Sequence, residues 1–215
     1  MKFQYIVWHT AAHATKEGVA LDTSAAEIDQ WHKARGWKGI GYQRVIRFDG
    51  TIENGRSYDE AGAHVQGLNS RAIGYCFSGH GDFMPLTPYQ LDSGLRLTQN
   101  DMAEYSIPPE NVIGHNEVND IILRDKLTGV SPVNKSCPGV FVNMSNIRSY
   151  LGITTILRFK DTRPTTEEVI LATKVQKLLK DLGYYEGKID GWAGKNTSEA
   201  FHDLCGYYLK GDPRI

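Results

Sequence analysis

Three side chains able to bind a soft divalent metal stand far apart in this chain: His9, His115 and Cys137. Two of them close short apolar runs, Tyr5-Ile6-Val7-Trp8 before His9 and Asn111-Val112-Ile113-Gly114 before His115. Each is therefore expected at the end of a β-strand, where a sheet presents side chains rigidly. Cys137 precedes Pro138, which biases the cysteine toward extended backbone. Imidazole and thiolate are donors that zinc prefers, and three protein ligands leave a fourth position for water, the pattern of a catalytic site. By residue type alone each has a plainer reading. The chain holds seven histidines, any of which serves as an ordinary polar or core residue, and a lone cysteine is often a small buried hydrophobe.

Lys135 lies two residues before Cys137. In an extended segment the two side chains project to the same side, so the ammonium would face whatever Cys137 holds and could stabilise developing negative charge there; a solvated surface lysine is the alternative. His9 and His13 have i, i+4 spacing, but the pair follows a strand directly and lacks the glutamate of a helical zinc motif, so His13 is expected in a loop. Ser78-Gly79-His80-Gly81 lacks the lysine and hydroxyl of a phosphate loop and is expected to be a turn.

These residues need elements to position them. Ser24-x-x-Glu27 is a capping box opening a helix that carries Ala25, Ile28, Trp31 and His32 and stops at Gly36. Val45 to Phe48, a two-residue Asp49-Gly50 turn and Thr51 to Glu53 predict a hairpin. Ala72 to Phe77 is an apolar strand. Thr87-Pro88-Tyr89-Gln90 opens a helix running to about Ser106. After His115 an irregular segment to Pro138 is expected, then a short helix near Met144 to Leu151. Alternation of strands and helices predicts an α/β domain with a mixed central sheet flanked by helices. From Ile153 the pattern breaks, and Thr165-x-x-Glu168 starts a helix with an apolar stripe of Val169, Ile170, Ala172, Val175, Leu178, Leu179 and Leu182, closed by Gly183. The expected organisation is an α/β domain over 1–152, a linker over 153–165 and a small helical module over 166–215.

Composition bounds the function. Of 215 residues 40% are hydrophobic and 23% charged, enough apolar material for a packed core. Lysine plus arginine number 24 against 25 acidic residues, a net charge of −1, without the basic excess that nucleic acid or an anionic membrane would call for. Three cysteines do not make a disulfide framework, and Cys76 and Cys205 are expected as buried thiols. No apolar stretch reaches membrane-spanning length, and no signal peptide is expected at Met1 to Thr10.

Several motifs in register carry a resemblance. Gln30-Trp31-His32-Lys33 through Gly36-Trp37, Gly41-Tyr42, Arg47-x-Asp49-Gly50-Thr51-Ile52-Glu53, Gly62-Ala63-His64, Ser70 to Gly74, Gly114-His115-x-Glu117 and Lys135-x-Cys137-Pro138 occur in order. Over about residues 4–151 the chain resembles the zinc-dependent N-acetylmuramoyl-L-alanine amidases of the bacteriophage lysozyme and peptidoglycan recognition protein superfamily. The resemblance implies that His9, His115 and Cys137 are zinc ligands, that Tyr42 and Lys135 are the catalytic side chains, and that His64 is a substrate-binding histidine of the cleft. Thr10 and Gln43 depart from the residues common in relatives, Cys or Ser and His respectively. Val175-Gln176-x-x-Leu179, Leu182-Gly183-Tyr184 and Gly187-x-Ile189-Asp190-Gly191, with Gly194, Thr197 and Ala200-Phe201, resemble a peptidoglycan-binding three-helix domain, over about 166–210.

The implied activity is hydrolysis of the amide between N-acetylmuramic acid and the first L-alanine of the stem peptide. Bacterial peptidoglycan is the expected partner, with no nucleic acid and no membrane, and the chain is expected to be monomeric. An exportless start with a wall-binding end fits a phage endolysin, made in the host cytoplasm and released to the wall by a separate pore protein. A bacterial recycling or remodelling amidase is the rival enzyme, and a non-catalytic peptidoglycan receptor is the rival of another class, against which Cys137 counts.

Overall fold

The computed structural model describes residues 2–156, 166–205 and 209. The chain divides into two compact units, Met1–Arg148 and Ser149–Ile215.

The first unit is built on five strands in the order β3-β2-β4-β1-β5. β1 (Tyr5–Thr10), β4 (Ala72–Phe77) and β5 (Val112–Gly114) are parallel neighbours; β2 (Arg44–Ile46) runs parallel to β4, and β3 (Ile52–Asn54) pairs antiparallel with β2 at the edge. Every residue of β1 and β4 is buried, as expected when both faces of a parallel core are covered. Alternation sends Trp8, Tyr75 and Phe77 to one face, where the Trp8 indole N–H donates to Thr98 Oγ1 on α2 (Pro88–Tyr105) at 3.2 Å. Tyr5, Val7, Ala72 and Ile113 face the other way and pack with Val65, Leu68, Val118 and Ile121. Cys76 is buried beside Ile28, Ile40 and Val45, as expected.

Both expected capping boxes are present. Ser24 and Glu27 cap α1 (Ala25–Ala34), and Thr87 and Gln90 cap α2, with Pro88 in the first turn. The hairpin forms, but its turn is wider than two residues. Arg47 N–H donates to Thr51 O and Gly50 N–H to Arg47 O, so the loop spans 47–51. Gly50 has φ +84° while Asp49 is not left-handed. A two-residue type I′ turn needs both central residues there; this is a tight turn closed by a left-handed glycine, with Asp49 Oδ1 accepting from Thr51 N–H. The segment after His115 is also more ordered than expected. It contains α3 (Val118–Arg124), a short helix that buries Val118 and Ile121 one turn apart.

α4 (Met144–Ile156) continues past Leu151, so residues 153–156 of the expected linker are helical, and residues 157–165, with the expected cap Thr165, lie outside the described residues. In the second unit α5 (Thr166–Asp181) ends in a Schellman arrangement: Tyr184 N–H donates to Leu179 O, Gly183 N–H donates to Lys180 O, and Gly183 takes φ +80°. The apolar stripe is narrower than expected, because Ala172, Val175 and Leu179 are buried while Ile170 and Leu182 are exposed. The loop into α6 (Lys195–Cys205) is held by Gln176, whose amide is buried; its Oε1 accepts from Asp190 N–H and Gly191 N–H, and its Nε2 donates to Asp190 Oδ1 and Thr197 Oγ1. Tyr150 stacks on Phe201 with ring centroids 5.3 Å apart. The side chain of Cys205 lies outside the described residues.

Candidate metal centre and cleft

Strand register brings the two distant histidines together. Trp8 pairs with Gly114 across β1 and β5, so His9 and His115 are the next positions of adjacent parallel strands. Their rings lie 4.6 Å apart. Cys137 arrives from a loop that is tied down on three sides. Asn116 N–H donates to Cys137 O at 2.6 Å, Thr10 Oγ1 donates to Pro138 O at 3.0 Å, and Asp82 accepts from Ser136 Oγ and from Val140 N–H at 2.6 and 2.9 Å.

The ligand atoms of His9, His115 and Cys137 all lie within 4.8 Å of one another. His9 Nδ1 is 3.7 Å from Cys137 Sγ. Tetrahedral zinc with bonds of about 2.0–2.1 Å to nitrogen and about 2.3 Å to sulfur separates two such ligands by about 3.5 Å, so the spacing fits that ion. His9 and His115 are both buried. Burial first, then the competition with His115, His64 and Lys135 for positive charge, holds His9 well below the ordinary histidine range; burial and then Lys135 bring His115 down to about 4. Both rings are thus neutral near pH 7, the form that binds metal. Burial pushes the Cys137 thiol up to about 11, against the Thr10 backbone N–H and Lys135, which favour thiolate. A cation is what would complete this set.

Tyr42, Lys135 and His64 surround the cluster. The Tyr42 ring is 5.0 Å from that of His9 and 5.6 Å from that of His32. Its hydroxyl is pushed well above the usual tyrosine range, chiefly by burial and then by the two cysteines, so it stays protonated and can donate. His32 Nδ1 accepts from Gly41 N–H at 2.9 Å and so fixes the segment that carries Tyr42. A cavity of about 390 Å³ opens beside the cluster, lined by Trp37, His64, Gln66, Asn69, His115 and Lys135 among others. His64 Nδ1 lies 3.2 Å from His9 Nε2.

A family model for N-acetylmuramoyl-L-alanine amidases matches residues 1–140. The chain belongs to this amidase family. In this amidase-family chain, a second model, for peptidoglycan-binding domains, matches residues 155–207. The chain is 45% identical to the endolysin of Klebsiella phage KP32 over 67 residues, covering 31% of this chain and 44% of that one. It is 36% identical to the endolysin of Escherichia phage T7 over 98 residues, covering 43% and 65%. Each match thus spans less than two thirds of the relative's length. Among solved structures the N-acetylmuramoyl-L-alanine amidase LysC from Clostridium intestinale URNW aligns with a TM-score of 0.58 and 30% identity, over 70% of this chain and 86% of that one.

Two departures from the common family residues acquire local roles. Thr10 anchors the Cys137 loop through Pro138. Gln43 is buried and accepts from Gly74 N–H at 2.8 Å, stapling β2 to β4. The residues that sequence reasoning did not assign are mostly carboxylates and amides that hold backbone. Glu117 accepts from Gly114 N–H at 2.9 Å and pairs with Arg148 through both oxygens; its place three residues after Gly114 was the available signal. Asn69 and Asp82 carry no such local pattern.

Proposed function

We propose that the chain is a zinc-dependent N-acetylmuramoyl-L-alanine amidase that hydrolyses the amide between N-acetylmuramic acid and L-alanine of the stem peptide. The observation that carries this reading is the His9, His115 and Cys137 cluster at the wall of an open cleft that also holds Lys135. When bound, zinc would supply Lewis acidity, bringing the pKa of water to about 7 and polarising the scissile carbonyl. His9 and His115 offer neutral imidazole lone pairs, and Cys137 gives up its thiol proton on coordination. The Tyr42 hydroxyl, held protonated by burial, orients the attacking water or donates to the oxygen of the tetrahedral intermediate. The Lys135 ammonium stabilises negative charge on that oxygen.

The biological role proposed is that of a phage endolysin, with peptidoglycan as substrate and the region 166–215 as a wall-binding module; it is made in the host cytoplasm and acts at the wall after release. The likeness to two phage endolysins and the second family match support this. Elemental analysis should find one zinc per chain, and mass spectrometry of digested sacculi should find free stem peptides beginning with L-alanine. Release of saccharide fragments with intact stems would overturn the amidase reading. Faster turnover of soluble anhydro-muropeptides than of intact sacculi would favour a recycling enzyme instead. In a pelleting assay with insoluble peptidoglycan, the full chain should be retained more strongly than residues 1–152; equal retention would remove the wall-binding module.

A further inference from the structure

We propose that His64 is a positioning residue that selects the tautomer of His9, so that the Nδ1 lone pair of His9 is the one presented to metal. The proposal rests on the zinc reading above. His64 bridges two groups: its Nε2 lies 3.4 Å from Ala72 O and its Nδ1 lies 3.2 Å from His9 Nε2. A carbonyl oxygen only accepts, so the hydrogen of the first contact belongs to His64 Nε2. A neutral imidazole carries one N–H, which leaves His64 Nδ1 as an acceptor and requires the hydrogen of the second contact to sit on His9 Nε2. The remaining nitrogen of His9, Nδ1, is then a bare lone pair, and it is the atom 3.7 Å from Cys137 Sγ. The chain of donors thus starts at His9 Nε2–H, continues through His64 Nε2–H and ends on a β4 carbonyl.

The ring has a built seat. A Cβ on Gly74 would lie 2.6 Å from His64 Cδ2, and one on Gly62 would lie 2.5 Å from the same atom. Both close approaches are open only to glycine. Asn69 Oδ1 accepts from the backbone N–H groups of His64 and Val65 at 2.8 and 2.9 Å, fixing the turn from which the ring projects. With both nitrogens engaged by protein, His64 has no ring nitrogen left to hydrogen-bond a substrate in the cleft. That differs from the substrate-binding role implied by the family resemblance.

The test compares His64→Leu and His64→Asn in the full chain, with zinc affinity read by chelator competition and folding by thermal unfolding of the metal-free protein. Leucine removes the acceptor facing His9, and zinc affinity should fall 10- to 100-fold, the usual range for lost outer-shell partners. Asparagine keeps an oxygen close to the Nδ1 position and should hold zinc within a few-fold of the parent. Equal weakening in both variants would reduce His64 to packing and overturn the proposal. Unchanged zinc affinity in His64→Leu with a raised KM for muropeptide would return it to substrate contact. Long-range proton–nitrogen spectra of the metal-free parent should show Nε2–H on both His9 and His64, and an Nδ1–H on either ring would overturn the relay. A parent that bound no zinc would defeat the metal reading, while the relay would still be judged by those spectra.

Discussion

At the scale of single residues, the proposed function assigns His9, His115 and Cys137 to the metal and Tyr42 and Lys135 to the substrate. Cys137 supplies the one thiolate, and serine in its place is a poorer zinc ligand with a far more basic oxygen. Cys137→Ser should therefore lose zinc and hydrolysis together, as read by metal analysis and a stem-release assay on the same preparation. Lys135 is exposed and its protonated ammonium has no lone pair to offer a metal, so Lys135→Ala should retain stoichiometric zinc and lose about 100- to 1000-fold in kcat. Zinc loss in Lys135→Ala, or hydrolysis by metal-free Cys137→Ser, would reverse these assignments. The candidate ligands were legible because imidazole and thiolate are rare donors that ended apolar runs or stood in an ordered motif. The contact between His64 and His9 was not. It depends on two glycines leaving room for a ring, and Gly62 and Gly74 show that role only once the sheet is assembled.

At the scale of elements, local chemistry marked helix starts well and short or irregular pieces poorly. A capping box satisfies orphan N–H groups with side chains only three residues away, so Ser24 and Glu27, and Thr87 and Gln90, could be read directly. α3 has seven residues and buries little beyond Val118 and Ile121; nucleation is unfavourable at that length, and tertiary packing decides it. The hairpin turn differs from the expected one because Asp-Gly serves both a type I′ turn and a wider loop, and strand register chooses between them. α2 offers a test of what an element contributes apart from the chemistry. Thr87 Oγ1 accepts from Gln90 N–H at 3.1 Å and donates to Phe48 O at 2.6 Å, joining the helix start to the hairpin loop. Thr87→Ala should cost about 1–2 kcal/mol, or a Tm lower by about 2–8 °C. Zinc content should be unchanged, because α2 packs on the sheet face opposite His9. A loss of zinc without a loss of stability would mean that the two faces are coupled.

At the scale of the whole molecule, burying several neutral histidines makes folding of the metal-free chain sensitive to mild acid. In the folded state burial brings His64 down to about 3 and His115 to about 4, and it lowers His9 and His32 as well. In the unfolded chain each returns to about 6.5. Between those limits the unfolded state binds more protons, so stability is fully present above about pH 7 and falls as pH drops toward the folded values. Each such histidine removes up to about 1.4 kcal/mol per pH unit in that window. His64 and His115 together should lower unfolding free energy by about 2–3 kcal/mol between pH 6 and pH 5. The window lies above the ordinary carboxylate range. Asp101, raised chiefly by burial, works in the opposite direction, since its folded form holds a proton more readily than its unfolded form. Denaturant unfolding of EDTA-treated protein at pH 7, 6 and 5 measures the slope. A flat response would mean that the folded chain protonates these rings as easily as the unfolded one does, which is incompatible with the buried neutral cluster on which the proposed metal centre depends.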